Sequence, residues 1–145
     1  MNDFMTLDKQ LCFAVYETAG EFNKMYTSIL QPFGLTYPQY LVLLALWEED
    51  GITAKELGEK LHLGTGTLTP MVARMEANGW LQKVRSQQDE RKVHIHLQPK
   101  AIEQKPLITE ALIEVIGSCH IDYEEYKQMM VMLKQLNEKL KQRLT

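Results

Sequence analysis

Two cysteines and several tyrosines are the residues of this chain whose types could support redox chemistry. Cys12 lies in an apolar helical segment, and Tyr16 follows it at i+4 on the same helix face. A free cysteine in such a segment is often a small buried hydrophobe, whereas a reactive one needs a stabilised thiolate and access. Taken alone, the local sequence favours the buried interpretation.

Tyr26 shares the helix face of Cys12 but lies 14 residues further along. Within one straight helix this separation is about 21 Å, too far for a hydrogen bond. Two copies of the helix crossing antiparallel near Ala19–Gly20 would place Cys12 of one subunit opposite Tyr26 of the other. Tyr37, at the start of the next helix, could join them. Phenol hydrogen bonds to the charged sulfur would stabilise the thiolate.

A second group of residues has the chemistry of nucleic-acid binding. Residues 60–100 contain seven Lys and Arg against three Asp and Glu, although the whole chain carries a net charge of −3. One basic segment on an acidic body is typical of a localised DNA-binding element.

The basic segment supplies candidate DNA contacts in a recognition helix and in a hairpin. Small hydroxyl side chains near a helix start can approach phosphates and thymine methyl groups, and a later arginine can reach a guanine edge. In the helix these are Thr65, Thr67, Thr69 and Arg74; helix capping is expected to involve at least one of the threonines. In the hairpin they are Arg85, Asp89, Arg91 and Lys92.

The hairpin tip places Arg91 where it could enter a narrow A·T-rich minor groove, with Asp89 orienting its guanidinium. The alternative for this pair is a surface ion pair that contributes little.

The elements that position these residues follow from periodicity and capping. Apolar positions at helical spacing predict a first helix from about Leu7 to Leu30. Capping boxes open three later helices, at Thr36/Gln39, Thr53/Glu56 and Asp122/Glu125. The recognition helix presents an apolar face of Leu68, Met71, Val72 and Met75 and ends at Asn78–Gly79. Alternation in "WLQKVRS" and "RKVHIHL" around "QQDE" predicts a β-hairpin, and another helix runs from about Ile102 to Gly117.

This order predicts a mainly α fold with a small β-hairpin wing, a winged helix-turn-helix. A small helical domain with an incidental hairpin is the alternative. The last helix carries an apolar stripe of Tyr126, Met129, Met130, Leu133, Leu136, Leu140 and Leu144. Together with the first helix, this stripe predicts a homodimer. Residues 1–35 and 100–145 then form the helical dimerisation region, residues 36–99 form the DNA-binding region, and the operator is an inverted repeat of double-stranded DNA.

Two stretches carry a family resemblance. The segment "ELGEKLHLGTGTLTPMVARMEANGWLQKVRSQQDERKVHIHL" resembles the DNA-binding core of the MarR family, including an Asp-x-Arg motif at Asp89 and Arg91. "QLCFAVY" together with "TYPQYLVLLALWE" resembles the organic-hydroperoxide-sensing OhrR type. The resemblance implies a homodimeric transcriptional repressor that releases its operator when Cys12 is oxidised.

The resemblance also implies that Tyr26 and Tyr37 of the partner subunit bind Cys12. Tyr16 is a further candidate because of its i+4 spacing. Some members of the family oxidise through a second cysteine of the partner and others through a low-molecular-weight thiol. Cys119, in the connection "IGSCHID", is therefore either a resolving thiol or an opportunistic surface thiol.

Other function classes have less support. No signal peptide is visible, and the longest apolar run, "YLVLLALW", is too short to span a bilayer. We therefore expect a cytoplasmic protein with reduced cysteines, no membrane partner, no cofactor and no metal. A metal-responsive regulator using His94 and His96 lacks a preorganised ligand spacing. A thiol peroxidase using Cys12 and a regulator released by a phenolic or drug-like ligand are further alternatives. The oxidant could be an organic hydroperoxide, hydrogen peroxide or hypochlorite.

Overall fold

A computed structural model of the protein, which describes residues 2–143, contains six α-helices and one β-hairpin. Short 3-10 helices span Asn2–Met5, Leu7–Lys9 and Gln31–Phe33. The α-helices and strands are α1 (Leu11–Leu30), α2 (Tyr37–Glu48), α3 (Ala54–Leu61), α4 (Thr65–Ala77), β1 (Leu81–Arg85), β2 (Val93–Leu97), α5 (Pro99–Gly117) and α6 (Tyr123–Gln142). The predicted mainly α fold with a hairpin wing is confirmed.

Local capping explains where three helices begin. Thr36 Oγ1 accepts a hydrogen bond from Gln39 N at 3.3 Å, and Gln39 Oε1 accepts one from Thr36 N at 3.1 Å, which completes the capping box of α2. At the start of α3, Thr53 Oγ1 accepts a hydrogen bond from Glu56 N, and at the start of α6, Asp122 Oδ1 accepts one from Glu125 N. The predicted end of α4 is also present, because Gly79 follows it with a left-handed φ of 84°.

Two predicted boundaries were wrong. The first α-helix begins at Leu11 rather than Leu7, because residues 7–9 form a separate 3-10 helix and Gln10 is extended. The helix α5 begins at Pro99 rather than Ile102, since a proline with its fixed φ is well suited to the first helical position. Both strands are also shorter than the alternating stretches that predicted them.

The described residues divide into two compact units, one up to Glu110 and one from Ala111 onward. In the first unit, apolar side chains of the helices and the hairpin form the core, and complete burial of one such side chain is worth about 1.5–3 kcal/mol. The predicted apolar face of α4 is buried at all four positions: Leu68, Met71, Val72 and Met75. This face fixes which side of α4 is left for solvent.

The segment between α2 and α3 makes backbone hydrogen bonds to the base of the hairpin, and the sequence analysis did not predict this contact. β1 and β2 pair antiparallel, from Leu81 opposite Leu97 to Arg85 opposite Val93. Ile95 N also donates to Ile52 O at 2.8 Å, and Ile95 O accepts from Gly51 N at 2.9 Å. The segment between α2 and α3 thereby contacts β2 through one isolated antiparallel bridge, between Thr53 and His94.

The second unit contains the end of α5 and all of α6. On α6 the predicted stripe is exposed at Tyr126, Met129, Met130, Leu133 and Leu140 and half-buried at Leu136; Leu144 lies outside the described residues. Among residues 2–143 no single helix is long and apolar enough to cross a bilayer. The segments Leu11–Phe33 and Tyr37–Glu48 meet that test only as a pair bent by 75°.

Candidate thiol centre and DNA-binding surface

Cys12 lies in the first turn of α1 and is exposed, so the buried interpretation does not describe it in the single chain. Its thiol donates to the side-chain oxygen of Gln10, with 3.7 Å between Sγ and Oε1. Tyr16 is 75% exposed and its ring stacks on Phe13 with 6.4 Å between ring centroids. Gln10 is a contact that the sequence analysis missed; its place before the first helical turn is the signal that could have indicated it.

A cluster of three phenols lies where α1 meets the start of α2, and we call Tyr26, Tyr37 and Tyr40 the tyrosine cluster. The ring centroid of Tyr26 is 5.0 Å from that of Tyr37 and 5.8 Å from that of Tyr40. The structure thus brings together the two tyrosines that the sequence analysis assigned to one site. It adds Tyr40, which the sequence analysis did not single out.

Burial in the tyrosine cluster favours the neutral phenol of Tyr40. Burial, followed by the neighbouring Tyr26 and Tyr37, raises the pKa of Tyr40 to about 12. A phenolate at this position would be poorly solvated and would lie beside two other groups that can become anionic. Tyr40 therefore stays protonated at neutral pH.

Within one chain the tyrosine cluster and Cys12 are at opposite ends of α1. The helix is continuous from Leu11 to Leu30, so the 14 residues between Cys12 and Tyr26 span about 21 Å. Between them, a side chain built at Gly20 would meet nothing within 4 Å, so this part of the helix surface is open in the single chain. The approach of Tyr26 to Cys12 across a dimer stays a prediction.

Cys119 follows the end of α5 in the second unit and is exposed, as expected for a connection. Its thiol donates to the carbonyl oxygen of Val115 at 3.7 Å.

The candidate DNA contacts of α4 are on its solvent side. Thr65, Thr67, Thr69 and Arg74 are all exposed, opposite the buried apolar face. The expectation that a threonine caps this helix was wrong. Gly64 occupies the N-cap with extended backbone angles and no side-chain hydrogen bond, so α4 begins only at Thr65.

The wing tip is organised by Asp89 and Ser86. Asp89 Oδ1 accepts from Arg91 N at 3.1 Å and lies 3.4 Å from Arg91 Nε, while the Arg91 side chain is 93% exposed. Ser86 Oγ accepts from Asp89 N at 3.3 Å, and Ser86 N donates to Lys92 O at 2.9 Å. Arg85 donates from Nη1 to Glu90 O, which ties the end of β1 to the tip. The tip therefore presents Arg91 to solvent on a closed turn.

The described residues contain no group of three or more His, Cys, Asp or Glu side chains arranged to hold a metal ion. The ring centroids of His94 and His96 are 6.5 Å apart, and Nδ1 of His94 lies 2.9 Å from the Gly51 carbonyl oxygen.

Comparison with known proteins assigns the chain to a family. The family model described as transcriptional regulator SarA/Rot matches residues 24–108. The organic hydroperoxide resistance transcriptional regulator of Bacillus subtilis is 41% identical over 97% of this chain and 96% of its own length. The regulator MgrA of Staphylococcus aureus is 35% identical over 89% of this chain and 88% of its own. The regulator TtmR of Methylorubrum extorquens is 52% identical over 68% of this chain, which spans only 51% of TtmR.

Solved structures of AbfR, a protein of Staphylococcus epidermidis, are similar over nearly the whole chain. Reduced AbfR bound to DNA is 38% identical with a TM-score of 0.86, covering 96% of this chain and 95% of AbfR. Overoxidized AbfR bound to DNA is 39% identical with a TM-score of 0.79, covering 96% and 98%. Disulfide-formed AbfR is 38% identical with a TM-score of 0.70, covering 99% and 95%. This chain belongs to the SarA/Rot and MarR-type winged-helix transcriptional regulators.

Proposed function

We propose that this regulator represses transcription as a homodimer, senses organic hydroperoxides through Cys12, and releases its operator after oxidation. The observation that carries the proposal is that α1 has an exposed Cys12 at one end and the tyrosine cluster at the other. An antiparallel crossing of two α1 helices would bring these ends together. The similarity to the Bacillus subtilis organic hydroperoxide regulator and to AbfR in several oxidation states supports the choice of oxidant and the redox mechanism.

In the first chemical step, the Cys12 thiolate attacks the terminal oxygen of the hydroperoxide. The O–O bond breaks as the S–O bond forms, which oxidises the sulfur by two electrons and leaves a sulfenic acid. The leaving alkoxide takes a proton from solvent and departs as an alcohol. Tyr26 and Tyr37 of the partner subunit would act before this step, by donating hydrogen bonds that favour the thiolate over the thiol.

In the second step, a thiol attacks the sulfenic sulfur, and water leaves as the disulfide forms. The attacking thiol is either Cys119 of the partner subunit or a low-molecular-weight thiol. The bulk of the new disulfide displaces the phenols and shifts the dimer interface. A free-energy coupling of about 2.7 kcal/mol is enough to weaken operator binding about a hundredfold.

We assign residues 36–99 to DNA binding and residues 1–35 and 100–145 to dimerisation. Thr65, Thr67, Thr69 and Arg74 then face the major groove of an inverted-repeat operator. The wing residues Arg85, Asp89, Arg91 and Lys92 lie beside the adjacent minor groove. A regulator of this kind acts on chromosomal DNA, so we place it in the cytoplasm.

Operator binding by wild-type protein and by Cys12→Ser, before and after tert-butyl hydroperoxide and then dithiothreitol, tests the proposal. Wild-type protein is expected to lose at least about tenfold in affinity on oxidation and to regain it on reduction, while Cys12→Ser keeps its affinity throughout. Cys119→Ser is the matched cysteine control and separates the two resolving routes. If it still releases DNA reversibly when a small thiol is present, Cys119 is not required.

Release of the operator by Cys12→Ser to the same extent as wild type would exclude Cys12 as the sensor. Sustained consumption of hydroperoxide without DNA, over many turnovers per subunit, would instead indicate a thiol peroxidase.

A further inference from the structure

The ring of Tyr40 contacts the ring of Tyr26 on the buried side of the tyrosine cluster. Tyr37 and Tyr40 are three residues apart on α2 and so share a helix face, and the ring of Tyr26 from α1 contacts both. The two ring pairs have interplanar angles of 52° and 32°, and their centroid distances lie in the range of favourable aromatic contacts. Tyr26 and Tyr37 are half-buried, whereas Tyr40 is buried.

Tyr40 is itself held by a neighbour that is anchored on two sides. The ring of Trp47, two turns later on α2, packs edge-on against Tyr40 with 6.3 Å between centroids and an interplanar angle of 69°. The indole N–H of Trp47 donates to Ala101 O at 3.2 Å, and Lys105 Nζ lies 5.6 Å from its ring centroid. The anchor on α5 restricts Trp47, and Trp47 restricts Tyr40.

We infer that Tyr40 is a positioning residue of the proposed sensor, whose ring holds the phenol of Tyr26 beside that of Tyr37. The inference rests on the proposed function, because the proposed function supplies the thiolate that the two phenols would stabilise. Without the Tyr40 ring, the ring of Tyr26 would have open space on its buried side and more than one accessible rotamer. Its hydroxyl would then be fixed less well, and the hydrogen bond to the sulfur would be weaker on average.

The test is the pH dependence of Cys12 alkylation by iodoacetamide, measured in the reduced dimer carrying Cys119→Ser. Tyr40→Leu and Tyr40→Met both remove the ring, so that the failure of one variant to fold leaves the other. Each is expected to move the midpoint of the profile upward by about half a pH unit or more, and to slow alkylation about threefold below the midpoint. Tyr40→Phe keeps the ring and is expected to restore the wild-type midpoint.

Leu81→Ala is the matched control for lost packing, because Leu81 is fully buried in β1, which packs on β2 and α4. It is expected to lower stability and leave the midpoint unchanged. The positioning role of the ring would be overturned if Leu81→Ala moved the midpoint of the alkylation profile as far as Tyr40→Leu does. It would also be overturned if Tyr40→Phe moved the midpoint that far.

Tyr26→Phe and Tyr37→Phe separate this inference from the proposed function. If these two variants shift the midpoint and Tyr40→Leu and Tyr40→Met do not, the role of Tyr40 is wrong and the proposed sensor stands. If none of them shifts the midpoint, the phenols do not stabilise the thiolate; the roles of Tyr40 and of the two phenols then both fail, and Cys12→Ser alone decides whether Cys12 is the sensor.

Discussion

The phenol of Tyr40 links burial to the pH dependence of stability. Burial and the neighbouring phenols raise the pKa of Tyr40 from 10.0 to about 12 in the folded protein. Between these two pH values the unfolded chain loses the proton and the folded chain keeps it. The stabilisation from the neutral buried phenol is thus complete below about pH 10 and is lost as the pH rises through the folded pKa.

We therefore expect Tyr40→Phe to flatten the alkaline side of the stability profile. The free energy of unfolding of wild-type protein should fall between pH 10 and pH 12 by up to about 2–3 kcal/mol more than that of Tyr40→Phe. Urea unfolding at half-unit pH intervals measures the difference, and the subtraction removes the effect of lysines, which both proteins share. Tyr123→Phe, an exposed phenol on α6, is the control and should match wild type. Parallel profiles for wild type and Tyr40→Phe would contradict the cause assigned to the shift.

At the scale of single residues, the sequence predicted one of the contacts in the candidate site and missed two others. The types and spacing of Cys12, Tyr26 and Tyr37 indicated one site, and the structure places the two tyrosine rings in contact. Tyr40 was missed because it begins the apolar run "YLVLLALW", where an aromatic residue is typical of the core. Gln10 was missed because its contact with Cys12 depends on an extended backbone between a 3-10 helix and α1.

The wing is an element whose conformation and exposed charge can be tested separately. The ion pair between Arg91 and Asp89 involves an arginine side chain that is 93% exposed, so solvent screening leaves it little effect on folding. The same exposure makes the guanidinium available to DNA.

Arg91→Ala is expected to lower operator affinity about tenfold or more while changing the free energy of unfolding by less than about 0.5 kcal/mol. If Arg91 contacts phosphates, the salt dependence of binding should also become shallower, by about 0.9 in the log–log slope for each lost contact. Fluorescence anisotropy at several salt concentrations measures both quantities. Lys139→Ala removes an exposed cation of α6 and serves as the control. Equal affinities and slopes for Arg91→Ala and Lys139→Ala would remove Arg91 from the DNA-binding surface.

At the scale of elements, capping side chains predicted three helix starts, whereas a contact between distant segments was missed. The capping side chains of Thr36, Thr53 and Asp122 act within four residues, and each predicted the start of its helix. The backbone hydrogen bond from Ile95 N to Ile52 O joins positions 43 residues apart, and no local pattern indicates it. The N-cap of α4 is Gly64, although N-caps usually carry a hydroxyl or carboxyl side chain. Because of that preference, a threonine was predicted to cap this helix.

For the whole molecule, exposed apolar side chains on α6 are the main reason to expect a dimer. Their helical stripe is exposed at every described position except the half-buried Leu136. Apolar surface of this kind is typical of a protein interface. A second copy of the chain can cover such a stripe symmetrically.

Two substitutions on opposite faces of α6 test this expectation. Leu133 on the stripe is 50% exposed and Val131 is 54% exposed, but at about 100° per residue they point about 160° apart around the helix. Leu133→Glu would bury a charge in the proposed interface and is expected to raise the dimer dissociation constant at least about tenfold, whereas Val131→Glu should leave it unchanged. Sedimentation equilibrium at micromolar concentrations measures both constants. Because two half-sites bind through one dimer, Leu133→Glu should also lose operator affinity and the activation of Cys12 by phenols of the partner subunit. A monomeric wild-type protein, or equal effects of the two substitutions, would remove the basis for that activation.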